Sequence, residues 1–224
     1  MGDDLSIQSV IFDMDGLMLD TEPIYRIAWG RSVAGCGYVF SEEIRRRLIG
    51  LTATDAEQVL LREYGQGFCI ETFRAFRRQY EPEAFDSHGV NKKPGLDALL
   101  SLLLSRRMTI AVATSASRER ALPLLKRAEL ADKFHTIVTG DEVSAGKPSP
   151  DLFLLAAERI DTEPAHCLVL EDSEHGVVAA CHAGMQVYVV PDLLEPSARA
   201  ISMSNGVFTS LLDVARHLDQ FLAV

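Results

Sequence analysis

Five short apolar runs, each ending in a polar or acidic residue, set the strongest limit on what this chain can fold into. They are Ser9 to Phe12 before Asp13, Thr109 to Ala113 before Thr114, Thr136 to Thr139 before Asp141, Cys167 to Leu170 before Glu171, and Gln186 to Val190 before Asp192. Near-continuous apolar runs of this length suit strands buried on both faces of a parallel sheet. Helical signals lie between the later runs. Ser149-Pro150 reads as an N-cap with Pro at the first helical position, ahead of the apolar face of Leu152 to Ile160. Glu174 to Ala183 closes at Gly184, Lys92 to Arg107 and Arg118 to Leu130 have helical character, and Ser210 is placed to cap a last helix running to Phe221. Strand then helix, repeated, predicts an α/β fold with a doubly wound parallel-sheet core.

One interval breaks the repeat. Roughly a hundred residues separate the first run from the second, where a βαβ crossover needs about 30. Apolar positions at helical spacing fill it in Ile24 to Val33, Ile44 to Ile49, Ala56 to Tyr64 and Ile70 to Tyr80, punctuated by Gly35-Cys36-Gly37, Gly65-Gln66-Gly67 and Ser87-His88-Gly89. The expected organisation is a core made of residues 1–16 and 91–224, interrupted by a helical domain at 17–90. Linkers are expected near Leu17 to Asp20 and near Asn91 to Pro94.

Charge narrows the partners. The 224 residues carry 22 Lys plus Arg against 32 Asp plus Glu, a net charge of -10, so bulk electrostatics repel nucleic acid and anionic membranes. No nucleic-acid or membrane partner is expected. The cysteines Cys36, Cys69, Cys167 and Cys181 are far apart and form no CxxC pair, which fits a reducing cytoplasm better than a zinc knuckle or a dithiol site. The most apolar stretch, Leu96 to Leu104, contains Asp97 and Ser101 and is too short to span a bilayer. Met1-Gly2-Asp3-Asp4-Leu5-Ser6 lacks a basic region typical of a secretory signal, and its match to the loose myristoylation pattern reads as chance without a basic patch beside it. A cytoplasmic monomer is the expectation.

Ligands of an open parallel sheet bind at the carboxyl ends of its strands. There the sequence places Asp13, Asp15, Thr114, Ser115, Asp141, Glu171 and Asp172. Carboxylates gathered together stay ionised only beside a cation, and Mg2+ prefers oxygen ligands plus the oxygens of a phosphate. Thr114 and Ser115, followed by a helix start near Ser117 to Glu119, offer hydroxyls and backbone N–H groups to an anion, and Lys147 adds positive charge. Two familiar nucleotide motifs fail: no GxGxxG follows the first run, and Gly140 to Lys147 has the wrong glycine spacing for a P-loop, with Pro148 where a hydroxyl residue should stand.

Phe12-Asp13-Met14-Asp15-Gly16, then Thr114-Ser115, then Gly146-Lys147-Pro148-Ser149-Pro150-Asp151, then Glu171-Asp172-Ser173 with Gly176 resemble the four ordered motifs of the haloacid dehalogenase-like (HAD) hydrolases. The helical insertion resembles the C1-type cap of the phosphatase and β-phosphoglucomutase branch, and Asp15 distinguishes the chain from the dehalogenases. The resemblance implies a Mg2+-dependent phosphatase of a small phosphorylated metabolite, such as a sugar phosphate, working through an aspartyl-phosphate. It makes Asp13 the nucleophile and Asp15 the acid and base, and Thr114 with Ser115 the phosphate-binding pair. Lys147 would balance the charge of Asp13 and the phosphate. Metal binding would fall to Asp13, Asp15 through its backbone carbonyl, Asp172, and Glu171 directly or through water.

The same resemblance leaves a β-phosphoglucomutase-like enzyme as the alternative. Mutases of the family carry a histidine twelve residues after the nucleophile, where this chain has Tyr25, and an arginine soon after a cap glycine, where Gly50-Leu51-Thr52-Ala53 has none. A non-enzymatic phosphoreceiver module ranks lower, since it needs neither the second aspartate nor the insertion. Residues 17–90 hold 9 basic and 11 acidic residues, and every basic one is arginine. Arg45-Arg46-Arg47 and Arg74, Arg77 and Arg78 read first as solvated helix faces, with substrate contact as the sharper alternative. Tyr25 and Trp29 are expected to pack the cap. Asp141, Glu142 and Asp192 are read as loop and turn residues, and His88, His135 and His175 lack metal-ligand spacing.

Overall fold

The computed structural model describes residues 7–49, 51 and 53–221. The amino-terminal myristoylation-like pattern, and Gly50 and Thr52 of the interrupting segment, lie outside them. The chain divides into two compact units, one of Met1–Asp20 with Asn91–Val224 and one of Thr21–Val90. No helix among the described residues is long and apolar enough to cross a membrane.

The first unit is built on a parallel sheet. Its strands are β1 (Ser9–Phe12), β4 (Thr109–Thr114), β5 (Thr136–Thr139), β6 (Cys167–Glu171), β7 (Gln186–Val189) and β8 (Gly206–Val207), in the order β5-β4-β1-β6-β7-β8. Two further strands, β2 (Leu19–Asp20) and β3 (Asn91–Lys92), pair antiparallel where the chain leaves and re-enters this unit. β1 lies between β4 and β6, with Phe12 level with Val112 and Leu170. The chain steps outward from β1 to β4 and β5, then returns to the other side of β1 at β6. That reversal opens the crevice in which ligands of doubly wound sheets bind.

Both faces of the sheet are covered, as the unbroken apolar runs require. Ile11, Ala111, Ala113, Val169 and Val187 share one buried cluster with Leu152, Phe153 and Ala156 of α7 (Asp151–Arg159) and with Val177, Ala179 and Ala180 of α8 (Glu174–His182). Val10, Phe12, Ile110 and Val112 alternate to the opposite face and are equally buried. The remaining helices of this unit are α5 (Leu96–Ser105), α6 (Arg118–Arg127), α9 (Ala198–Met203) and α10 (Leu211–Phe221). α5 begins later than its apolar run predicts, because Asn91 and Lys92 are paired to β2 and Gly95 turns with φ 90° against the backbone of Leu212. Pro150 itself is the N-cap of α7, and the Ser149 hydroxyl donates to Asp151 Oδ1 at 2.8 Å instead of capping the backbone. Ser210 does accept from Asp213 N–H at 3.3 Å at the start of α10.

The second unit contains α1 (Glu22–Gly35), α2 (Glu42–Leu48), α3 (Ala53–Tyr64) and α4 (Ile70–His88) around Val33, Ile44, Leu60, Phe68 and Phe73. α4 continues past its expected end through Pro82, since buried Ala84 and Phe85 prolong its apolar face, and stops at Gly89 with φ 74°. Trp29 meets Phe73 edge-on at 5.3 Å, and Tyr25 meets Phe85 at 5.8 Å, so both aromatics pack this unit. Several of its arginines are ion-paired within the unit: Arg45 to Glu22 and Glu42, Arg47 to Glu63, Arg74 to Glu57 and Glu71, and Arg77 to Glu57 and Glu81.

Candidate active site

The site is built at the carboxyl ends of β1, β4 and β6. Because β1 is central, the residue that follows it emerges between the ends of its neighbours, and Asp13 N–H donates to Leu170 O at 3.0 Å. Lys147, far away in sequence, reaches the same point. Its Nζ donates to Asp13 Oδ1 and, at 2.5 Å, to Glu171 Oε1. All three side chains are buried: Asp13 is 7% exposed, Lys147 5% and Glu171 0%. The ammonium also lies over the Phe153 ring at 4.9 Å, a further electrostatic contact for a desolvated cation.

Glu171 is occupied on both oxygens. While Oε1 takes Lys147, Oε2 accepts from Asp172 N–H at 3.0 Å, Ser173 N–H at 2.9 Å and the Ser173 hydroxyl at 2.9 Å. Ser173 in turn caps α8 by accepting from Gly176 N–H at 3.1 Å. Among the described residues no group of three or more Asp, Glu, His or Cys side chains is arranged to hold a metal ion. The Glu171 carboxylate is thus committed to Lys147 and to the loop donors.

Gly176 explains how that carboxylate fits. A Cβ at position 176 would overlap it. Alanine in place of a helical glycine ordinarily stabilises by about 0.4–1 kcal/mol. Here overpacking reverses the sign, and Gly176→Ala is expected to destabilise the protein by about 1–3 kcal/mol, read from its urea midpoint. A midpoint equal to or above that of the parent would show that the carboxylate is free to move away.

The remaining expected residues are placed as follows. Thr114, buried at the end of β4, accepts from Ala116 N–H at 3.1 Å, so its hydroxyl shapes the turn. Ser115 is exposed. The start of α6 is less open to an anion than expected: Asp141 Oδ1 accepts from Arg118 N–H at 2.9 Å, which makes Asp141 a cap and not an idle loop residue. Glu142 likewise closes its own turn, accepting from Thr139 N–H at 2.9 Å. Asp15 lies in the tight turn after β1, near enough for its charge to act on Asp13. Gly16 there has φ 84°, and its N–H donates to Leu19 O at 2.9 Å. Asp192, expected as a turn residue, is also ion-paired, its Oδ1 accepting from Lys93 Nζ at 2.5 Å beside this turn.

The Asp13 and Glu171 carboxylates thus share one ammonium, and Asp172 lies near enough to feel all three charges. Burial pushes the Asp13 carboxyl up to about 8, and Glu171 and Asp15 add to the rise against the pull of Lys147. Asp172 is raised well above the ordinary range by burial, then by Glu171, Asp13 and Asp192. Burial disfavours the Lys147 charge, but Asp13 and Glu171 outweigh it and hold the ammonium above its usual range.

A sign follows for stability. Between about pH 4, where a free Asp titrates, and about 8, where folded Asp13 titrates, Asp13 holds a proton in the folded protein that it has lost in the unfolded chain. Without added metal, the protein's stability should therefore fall as pH rises through that window. Thermal midpoints in EDTA at pH 5.5 and 8 check this. A higher midpoint at pH 8 would contradict it, and Mg2+ should narrow the gap.

Comparison with known proteins agrees with this geometry. The family model for haloacid dehalogenase-like hydrolases matches residues 10–190. A phosphorylated carbohydrates phosphatase of Thermotoga maritima is 33% identical over 216 residues, covering 93% of this chain and 100% of that protein. A β-phosphoglucomutase of Bacillus subtilis is 31% identical over 185 residues, covering 80% of this chain and 81% of that one. The crystal structure of a putative β-phosphoglucomutase from Thermotoga maritima superposes with a TM-score of 0.80 at 31% identity, covering 95% of this chain and 99% of that one. The chain is an enzyme that belongs to the haloacid dehalogenase-like hydrolases, in the branch that contains phosphatases and β-phosphoglucomutases.

Proposed function

We propose that this enzyme is a cytoplasmic phosphatase that hydrolyses a small phosphorylated metabolite, of the sugar-phosphate class, through an aspartyl-phosphate on Asp13. The observation that carries the reading is the buried Asp13–Lys147–Glu171 cluster at the switch point of the sheet. The names of its relatives supply the substrate class. The segment Thr21–Val90 corresponds in this reading to the inserted cap.

The donor set fits Mg2+. Two desolvated carboxylates, Asp13 and Asp172, exceed what one ammonium neutralises, and this ion is commonly held by one or two carboxylates with phosphate oxygens and waters. Asp13, Asp172 and the backbone carbonyl of Asp15 would hold it, while Glu171 sets Lys147 and the loop. When bound, the ion supplies Lewis-acid stabilisation of the phosphoryl oxygens.

The residues of the chain then divide the work. Lys147 holds Asp13 Oδ1 and so orients the carboxylate for attack on phosphorus. The ester P–O bond breaks, and the Asp15 carboxyl gives its proton to the departing alkoxide. In the second step the Asp15 carboxylate takes a proton from water, whose oxygen attacks the phosphoryl group, releasing phosphate and restoring Asp13. Thr114 and Ser115 offer hydroxyl and amide donors to the phosphoryl oxygens.

The likeness to β-phosphoglucomutase supports a second reading, in which the phosphoryl group passes to another hydroxyl of the sugar. Tyr25, packed on Phe85, stands against it. Incubation with β-glucose 1-phosphate separates the two: free phosphate supports hydrolysis, and glucose 6-phosphate overturns it. A screen of phosphorylated metabolites then identifies the substrate.

A further inference from the structure

Three loops meet at Gly16. It has φ 84°, and a Cβ built there would strike the Asp172 carboxylate and come within 3.3 Å of Asp192 Oδ2. The loops after β6 and β7 thus present carboxylates to the same side of a residue that has no side chain to separate them. Asp192 is itself largely buried, with 11% of its side chain exposed, and Lys93 Nζ donates to its Oδ1 at 2.5 Å. Lys93 is anchored in its turn: its N–H donates to Met18 O at 2.9 Å, in the segment that leads into β2. One oxygen of Asp192 is fixed by a tethered lysine, and the other faces the Asp172 flank.

We infer that Asp192 and Lys93 are a positioning pair for the metal site. Asp192 adds negative charge beside the Asp172 ligand and strengthens Mg2+ binding without ligating the ion, and Lys93 limits the repulsion that this charge imposes on the metal-free protein. The inference rests on the proposed role of Asp172 in holding Mg2+. Groups just outside a ligand set commonly tune metal affinity in this way. A pair that only tied the linker to the sheet would act differently, since breaking it from either side would lower stability and leave Mg2+ affinity untouched.

The test uses the full chain stripped with EDTA, its thermal midpoint followed as MgCl2 is added. Asp192→Asn keeps an acceptor for Lys93 and removes a charge that repels Asp172. Its metal-free midpoint should not fall below that of the parent, and its half-saturating Mg2+ should rise about tenfold. Lys93→Met should do the reverse, lowering the metal-free midpoint and the half-saturating Mg2+ together. Unchanged half-saturation in Asp192→Asn overturns the inference. Should that variant not fold, unchanged or weakened Mg2+ binding in Lys93→Met overturns it alone. A parent whose midpoint ignores Mg2+ would sink the metal reading and this inference with it, whereas a responsive parent matched by both variants would sink only the inference.

Discussion

Asp13→Asn should lower phosphate release from an aryl phosphate with Mg2+ by at least about a thousandfold while the protein stays folded, because the loss removes the bond-forming group itself. The asparagine amide has nearly the same shape as the carboxylate, and its oxygen can still accept the hydrogen bond that Lys147 donates to Asp13. It lacks the charge and nucleophilicity needed to attack phosphorus. Folding should survive, since the substitution removes a buried carboxylate whose pKa is already pushed up to about 8. A fixed-time phosphate assay, paired with a thermal midpoint, reads both halves. Turnover within an order of magnitude of the parent would refute Asp13 as the nucleophile, and a collapsed midpoint would assign it a structural role instead.

Lys147→Met should have the largest effect on stability. Methionine roughly matches the apolar stem and can keep the contact with Phe153, but it leaves Asp13 and Glu171 buried with no cation between them. Removing one partner from a buried ion cluster costs about 3–5 kcal/mol, mostly the penalty of stranded charge. The cost should be larger at pH 8 than at pH 5.5, where a carboxylate with a raised pKa can take up a proton. Glu171→Gln added to Lys147→Met should recover part of the loss by removing one stranded charge. Urea midpoints of the single and double variants at the two pH values provide the measurement. Equal stability of parent and Lys147→Met would show that water or a proton already screens the carboxylates, and that Lys147 is not what holds the cluster together.

The sheet was readable because its physics is local. Ser9–Phe12 and Thr136–Thr139 appear at their expected bounds, and the other three runs shift by one residue at an end, since burial on both faces leaves a continuous apolar signature. The elements that escaped notice, Leu19–Asp20, Asn91–Lys92, Gly206–Val207 and Ala198–Met203, are too short to show a period. At the site, the positions of Asp13, Lys147, Glu171 and Asp172 could be found from residue type and spacing. Their assignments could not all be found that way. Glu171 serves Lys147 and the Asp172–Ser173 loop, Asp141 caps α6, and Asp192 pairs with Lys93.

By itself the sequence determined which polar and acidic residues stand at the strand ends, where the buried strands run, and that a helical segment interrupts them, because each depends on side-chain type and short-range periodicity. Only the tertiary structure decided that β1 lies between β4 and β6, and thus that Lys147 meets Asp13 and Glu171. Strand order and the sharing of one ammonium among several carboxylates depend on packing between residues far apart in the chain, and it is that packing which removes the water and leaves their charges to one another.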